Sequence, residues 1–91
     1  MKYRGRIDIA AAILENTIEG SLRTQLMYKA YLSYSQLKEY SSALIEAGLV
    51  RYSGEDEKTY HITEKGMRFL EIYREVGNMI PRANILTKRM K

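Results

Sequence analysis

The amino-acid sequence predicts a mainly helical fold with one small β-hairpin, and three observations support this prediction. Two amphipathic helices, separated by a turn of a few residues, lie between Ser21 and Gly48. Two short runs rich in β-branched and aromatic residues follow at 49–53 and 58–62, around an acidic turn. A long amphipathic helix then begins at Glu64. With a further helix near the N-terminal end, the order helix, helix, helix, β-hairpin, helix is that of a winged helix-turn-helix fold.

The length and composition of the chain indicate one globular domain. The 91 residues suffice for one modest core, and 45% of them are hydrophobic. No apolar run approaches the ~18 residues that a membrane helix requires, and none follows the basic N-terminus as in a signal peptide. A cytoplasmic protein is therefore expected. We divide the chain into a winged helix-turn-helix domain at 1–78, which includes the C-terminal helix, and a basic tail at 79–91.

The first predicted helix runs from Ile7 to roughly Ile18 and is apolar around more than half of its circumference. A helix of this kind usually lies at the centre of a small core. Asp8, near its N-terminus, interacts favourably with the helix dipole. Residues 19–21 are predicted to link it to the second helix.

Capping signals define the two helices of the helix-turn-helix. Ser21 is predicted to cap the N-terminus of the second helix. Ser33 opens the third helix, and Gln36 three residues later completes an S-x-x-Q capping box. Gly48 follows the third helix at a position where glycine readily adopts a left-handed backbone. The third helix, from Tyr34 to Ala47, is therefore the predicted recognition helix.

The last helix is predicted to be capped by Thr63 and to carry a sustained apolar stripe, from which Ile72 and Met79 deviate. The stripe is longer than a small core needs, so its distal part is expected to pack against a second copy of the chain. Pro81 interrupts the pattern, and the sequence leaves open whether residues 82–91 form a short helix or are disordered. The residues predicted to form the dimer contact are Phe69, Leu70, Tyr73, Val76 and Ile80.

Positive charge lies at both ends of the chain and on the helix-turn-helix. The net charge is +4 and the sequence pI is about 9.4. Residues 21–51 carry four basic residues against two acidic ones. This distribution favours a polyanionic partner such as nucleic acid. The basic ends comprise Lys2, Arg4, Arg6, Arg82, Lys88, Arg89 and Lys91.

No pattern in the sequence indicates catalysis, a cofactor or a metal. The chain has no cysteine, which excludes a disulfide framework and a thiolate metal site. His61 is the only histidine and is interpreted as a strand residue, because partners for a metal site or a Ser-His-Asp arrangement are not apparent. The sequence also has no Gly-rich phosphate loop and no paired catalytic carboxylates. We therefore predict a non-enzyme.

An ordered set of short motifs resembles a known family. The motifs are Arg23-Thr24-Gln25-Leu26-Met27-Tyr28, Leu32-Ser33-Tyr34, Tyr40, Gly48-Leu49-Val50 and Tyr60-x-Ile62-Thr63-x-x-Gly66. From Ile9 to about Tyr73 the chain resembles the small archaeal winged-helix proteins of about ten kilodaltons, described as DNA-binding, chromatin-like or predicted transcriptional regulators. The resemblance implies binding of double-stranded DNA and a homodimer formed by antiparallel last helices. Because Pro81 shortens that helix here, a short helix pair is expected in place of a long coiled coil.

The predicted DNA contacts lie on the recognition helix and around it. Gln36 is suited to a bidentate pair with adenine and Lys38 to guanine, whereas Ser35 suits either a base edge or a phosphate. The predicted base contacts are Tyr34, Ser35, Gln36, Lys38 and Ser42. The predicted phosphate contacts are Arg23, Thr24, Lys29, Arg51 and Lys58.

The predicted wing tip, Glu55-Asp56-Glu57, is acidic and poorly suited to a phosphate backbone. Either the wing points away from DNA, or only its base, with Arg51 and Lys58, makes contact. The recognition helix also carries one lysine against two glutamates. These features favour an alternative, a winged-helix module that binds protein. The sequence does not distinguish a regulator of specific genes from a protein that coats DNA, and it identifies neither a DNA sequence nor a small-molecule effector.

Overall fold

The computed structural model describes residues 5–54 and 59–80, which form four helices and a three-stranded antiparallel sheet of order β1-β3-β2. The observed order of elements confirms the predicted winged helix-turn-helix fold, in which β2 and β3 form the wing. The elements are α1 Arg6–Glu15, β1 Ser21–Leu22, α2 Arg23–Ala30, α3 Tyr34–Glu46, β2 Val50–Ser53, β3 Thr59–Ile62 and α4 Glu64–Met79.

Helix α1 lies at the centre of the core, as predicted, but it ends earlier than Ile18. Ile13 and Leu14 are fully buried. The helix ends at Glu15 because polar side chains bond the backbone of its last turn: the Thr17 hydroxyl donates to the Leu14 carbonyl at 2.9 Å. The Thr17 carbonyl then accepts a hydrogen bond from the Ile62 amide at 3.0 Å. The backbone group that would have continued the helix therefore joins α1 to β3 instead.

Strand β1 was not predicted, and the predicted cap at Ser21 is wrong. Ser21 is buried in β1, where it pairs with Tyr60 of β3. Leu22 occupies the N-cap position of α2, and its amide donates to Gln25 Oε1 at 3.1 Å. A two-residue strand is too short to show a period in the sequence. Because β1 leads straight into α2, the helix begins directly at the edge of the sheet.

Helix α3 is joined to α4 by hydrogen bonds at its C-terminal end. The Thr63 hydroxyl caps α4 as predicted, accepting from the Gly66 amide at 3.1 Å. It also donates to the Gly48 carbonyl at 2.6 Å, and Lys65 Nζ donates to the Ala47 carbonyl at 2.7 Å. Gly48 has the left-handed backbone that was predicted, with φ of +81°. Carbonyls at the end of α3 that lack helical partners are thus satisfied by the start of α4.

Helix α4 packs along α1 through one short polar contact near its middle. The Tyr73 hydroxyl donates to Asp8 Oδ1 at 2.6 Å. This bond is the main reason why the pKa of Tyr73 rises to about 12. Asp8 Oδ2 accepts from the Gly5 amide at 3.2 Å, so the same carboxylate caps α1. Arg74 and Glu15 also approach to 3.7 Å, but both are well exposed, so this pair contributes little.

The single apolar stripe predicted on α4 is divided into two faces. The inner face packs on the core: Leu70 is fully buried, and Phe69 and Tyr73 are partly buried against it. The Leu70 side chain is therefore enclosed within the chain, where a second copy cannot reach it. The exposed apolar residues of the distal half include Ile72 and Met79, which the sequence pattern had set aside. Ile72, Val76, Met79 and Ile80 are 55%, 56%, 76% and 62% exposed.

The two glycines of α4 provide a matched test of the packing between α3, the wing and α4. A Cβ added at Gly66 would clash with the Leu49 carbonyl oxygen and lie 2.6 Å from Ile62 Cγ1, whereas one at Gly77 would meet nothing within 4 Å. Gly66→Ala should therefore lower the free energy of unfolding by about 1–3 kcal/mol. Gly77→Ala should raise it by up to ~1 kcal/mol through helix propensity. Urea unfolding at one protein concentration measures both, and equal effects would contradict the close approach at Gly66.

The contact between Tyr73 and Asp8 predicts a pH dependence with a defined sign. Tyr73→Phe should cost about 1 kcal/mol of stability at neutral pH. The folded state raises the pKa of Tyr73 from 10.0 to about 12, so the contribution of the hydroxyl is complete below pH 10 and is lost as the pH rises through 12. The stability difference between wild type and Tyr73→Phe should shrink over that range. Tyr28→Phe, at an exposed position, is the control, and a difference that stays constant to pH 12 would contradict the assignment.

Candidate nucleic-acid interface

The recognition helix α3 has one buried face and one exposed face. Leu37, Ser41 and Leu44 pack inward. The capping box at its N-terminus is confirmed, because the Gln36 amide donates to Ser33 Oγ at 3.2 Å and the Ser33 amide donates to Gln36 Oε1 at 3.0 Å. The residues predicted to contact bases are all exposed, namely Tyr34, Ser35, Gln36, Lys38 and Ser42.

The side chain of Gln36 is already engaged in this capping box. A bidentate pair with adenine requires both the oxygen and the nitrogen of the amide. Such a pair would compete with the bond from the Ser33 amide to Gln36 Oε1. Gln36, in the first turn of the recognition helix, thus has less freedom to contact a base than Lys38 or Ser42, whose exposed side chains lie two and six residues further along.

Arg23, the first residue of α2, is surrounded by tyrosines from α3 and the sheet. Its Nη2 donates to the Tyr52 hydroxyl at 3.4 Å, and its guanidinium carbon lies 5.5 Å from the centre of the Tyr34 ring. Tyr52 and Tyr60 are cross-strand partners whose ring centres are 4.6 Å apart. The hydrogen bond to Tyr52, followed by one to Tyr60, raises the pKa of the Arg23 guanidinium. Three elements therefore hold one exposed cation in place.

These residues line a cleft of about 190 Å³ between α3 and the sheet, which we call the Arg23 cleft. It combines two cations, three tyrosines and two serines, and none of its described lining residues is acidic. Ser41 is already engaged, since its hydroxyl donates to the Lys38 carbonyl at 3.2 Å. The cleft is therefore suited to an anion. Its lining residues are Arg23, Tyr34, Leu37, Lys38, Ser41, Ser42, Ile45, Tyr52 and Tyr60.

Thr24, Lys29 and Arg51, the other predicted phosphate contacts within 5–54, do not line the Arg23 cleft. Thr24 is exposed in the first turn of α2, next to Arg23. Lys29 instead lines a second cleft with Glu15 and Glu19, so the other charged residues of that cleft are acidic. Arg51 is exposed, but strand alternation places it on the opposite face of the sheet from Tyr52. Of the predicted phosphate contacts that the structure describes, Arg23 is the one that lines the cleft with residues of the recognition helix.

Several predicted contacts lie outside the described residues. The acidic wing tip at 55–57 also lies outside the described residues, so its orientation relative to the interface stays a prediction. Arg6 of the basic ends is described, and it is the exposed first residue of α1. The predicted contacts outside the described residues are Lys2, Arg4, Lys58, Arg82, Lys88, Arg89 and Lys91.

Sequence reasoning missed Tyr52 and Tyr60 as members of this site. Both were interpreted only as aromatic residues of the hairpin strands, and in the observed register they lie directly opposite each other. The tyrosines on the two strands of the predicted hairpin were the only sequence signal for this pair. That signal does not indicate that Arg23 lies beside them. Within 5–54 and 59–80, no group of three or more potential ligands is placed to hold a metal ion. None of the helices described is both long and apolar enough to cross a membrane.

Comparison with known proteins identifies the family of the chain. A protein-family model described as winged helix-turn-helix matches residues 3–81, almost the whole chain. The chain belongs to the winged helix-turn-helix family. No curated protein sequence matches this winged helix-turn-helix protein at a significant level. Members of such DNA-binding families are typically non-enzymatic.

Solved structures similar to this winged helix-turn-helix protein include an archaeal one. Sso10a-2, a DNA-binding protein from Sulfolobus solfataricus, has 28% sequence identity and a TM-score of 0.78, over 96% of this chain and 90% of that one. The transcriptional regulator BldR from the same organism has 21% identity and a TM-score of 0.65, over 90% and 68%. A mutant of ZitR from Lactococcus lactis in complex with DNA has 18% identity and a TM-score of 0.54, over 98% and 71%. At these lower identities, BldR and ZitR show a shared fold.

Proposed function

We propose that this protein binds double-stranded DNA as a homodimer and acts as a transcriptional regulator or a chromatin-associated protein. The observation that carries the proposal is the Arg23 cleft, where two cations and no described acidic residue lie beside the exposed face of α3. In helix-turn-helix proteins the recognition helix lies in the major groove, and its N-terminal residues contact base edges. In that arrangement Arg23 faces the DNA backbone.

The residues on the exposed face of α3 are suited to specific roles in DNA binding. Lys38 and Ser42 lie beside Arg23 in the cleft and reach either a base edge or the adjoining backbone. Ser35 and Tyr34 occupy the first turn, where groove contacts concentrate. The proposal is further supported by the structural similarity to Sso10a-2, whose description is a DNA-binding protein.

The outer apolar residues of α4 support the proposed dimer. Phe69, Ile72, Val76 and Met79 are spaced by three, four and three residues, which is the a/d spacing of a helix pair, and Phe69, at the proximal end of this row, is also partly buried against the core. The last three of them are more than half exposed. We call these four residues the outer stripe of α4. In the proposed dimer contact, Ile72 and Met79 join the predicted Phe69 and Val76, and Leu70 is left out because it is enclosed in the core.

An apolar groove adjoins the outer stripe and extends the proposed contact. It lies between the start of α1 and the distal half of α4 and has a volume of about 800 Å³. Ile7 of α1 is 56% exposed at its edge. Apolar surface of this extent is unfavourable in water, and a second helix laid along α4 would cover it. Phe69, Ile72 and Val76 belong to both the groove and the outer stripe, so the two surfaces are continuous, and Val76 is the most exposed of the three.

The DNA-binding proposal predicts a salt-dependent affinity for a generic duplex. Fluorescence anisotropy of a labelled duplex of about 30 base pairs should show binding that weakens steeply as salt rises. Each neutralised phosphate contributes a slope of ~0.9 in log K against log salt, so a dimer with several contacts should give a slope of several units. The absence of binding by the folded protein at low salt would contradict the proposal. It would favour the alternative, a winged-helix module that binds a protein partner.

The dimer proposal predicts that one substitution on the outer stripe separates the copies. Val76→Glu places a charge in the proposed contact, where its desolvation is unfavourable, so sedimentation should shift from the dimer mass to the monomer mass. Met67→Glu is the matched control, because Met67 is an exposed apolar residue elsewhere on α4. A wild-type monomer at tens of micromolar, or equal effects of the two substitutions, would exclude a dimer formed by this stripe.

A further inference from the structure

We propose that Tyr52 is a positioning residue for DNA binding: it holds Arg23 over the Arg23 cleft, so that the cleft receives one phosphate of the DNA backbone. This inference rests on the proposed function and adds a role for the base of the wing. Tyr52 was outside the predicted contacts, and it is joined to Arg23 by the 3.4 Å bond between its hydroxyl and Nη2.

The restraint on Arg23 is unusual for an exposed arginine. A free arginine side chain samples many rotamers and loses that freedom when it binds a phosphate. Here the guanidinium packs over the Tyr34 ring and donates to Tyr52, so part of this ordering is complete before any ligand arrives. Contacts within the protein therefore hold the Arg23 guanidinium in the position from which it binds a phosphate.

The remaining donors of Arg23 are suited to a phosphate. A guanidinium has five N–H groups in a planar fork, which match two oxygens of a phosphate. The bonds to Tyr52 and Tyr60 use two of these N–H groups, which leaves three for a phosphate. Lys38 and Ser42 line the same cleft from α3 and add a second cation and a hydroxyl. A backbone phosphate is thus recognised from both α2 and α3.

The size of the Arg23 cleft favours a small anionic group as its occupant. Pockets for drug-sized ligands typically span ~300–1,000 Å³, whereas this cleft has a volume of about 190 Å³. A phosphodiester group is small enough to occupy this cleft at the edge of the recognition helix, and it would not enter the core. The wing then contributes to DNA binding through its base, whichever direction its acidic tip takes.

Tyr52 is suited to its positioning role because its ring is fixed independently of Arg23. It is paired with Tyr60 across the hairpin, and the two rings are tilted by 40° with centres 4.6 Å apart. Tyr52→Phe therefore removes the hydroxyl while it keeps the ring and its packing. This makes a conservative variant available that separates the hydrogen bond from the fold.

The test is a double-mutant cycle in the anisotropy assay, with wild type, Tyr52→Phe, Arg23→Ala and the double variant titrated at several salt concentrations. Arg23→Ala should lower the salt slope by ~0.9 per copy bound, which corresponds to one lost phosphate contact. Tyr52→Phe should weaken binding about three- to tenfold. The double variant should bind no more weakly than Arg23→Ala alone, because the hydroxyl acts through the guanidinium.

Tyr28→Phe is the matched control, since Tyr28 is 78% exposed on α2 and does not line the cleft. It should bind as wild type does, and thermal melting should show that all variants are folded. Equal losses from Tyr52→Phe with and without Arg23 would overturn the positioning role, as would wild-type affinity for Tyr52→Phe. Failure of wild type to bind at low salt would instead overturn the proposed function, and this inference with it.

Discussion

The hydrogen bonds of Thr63 determine how the functional parts of this molecule are arranged. Its hydroxyl donates to the carbonyl of Gly48 after α3 and accepts from the amide of Gly66 in α4. Because Gly66 has no side chain, the backbone at Leu49 approaches α4 closely. The end of the recognition helix and the start of the last helix are thus held together by the Thr63 hydroxyl and by the close backbone approach at Gly66. For this reason, the exposed face of α3 and the outer stripe of α4 have fixed positions relative to each other.

The small sheet has a comparable role at the other end of α3. Strand β1 consists of two residues, yet the pairing of Ser21 with Tyr60 places the start of α2 beside the wing. Arg23 follows β1 immediately, so it enters the space beside Tyr52. Helix α1 completes the arrangement, since the Thr17 carbonyl bonds to Ile62 and Asp8 bonds to Tyr73. The candidate interface is therefore built from residues far apart in the sequence.

Features with a local cause could be predicted from the sequence, whereas features with a non-local cause could not. The caps at Ser33 and Thr63 and the left-handed Gly48 depend on residues within one turn, and the structure confirms all three. The end of α1 combines a local bond, from the Thr17 hydroxyl to Leu14, with a bond from Ile62 of a strand more than forty residues away. The aromatic surroundings of Arg23 likewise require the sheet register. On α4, helical spacing located the apolar residues, but only the packing of α1 separates the enclosed Leu70 from the exposed Ile72.

The rigid junction between α3 and α4 has a consequence for the evolution of related proteins. In a homodimer joined through the outer stripe, the distance between the two recognition helices depends on where along α4 the copies meet. Each residue inserted into a helix adds 1.5 Å and turns it by about 100°. Insertion of one full turn would therefore move the recognition helices apart while the apolar stripe kept nearly its orientation. Changes in the length of α4 can thus adapt such a protein to a different separation of DNA half-sites without any change in the residues that contact DNA.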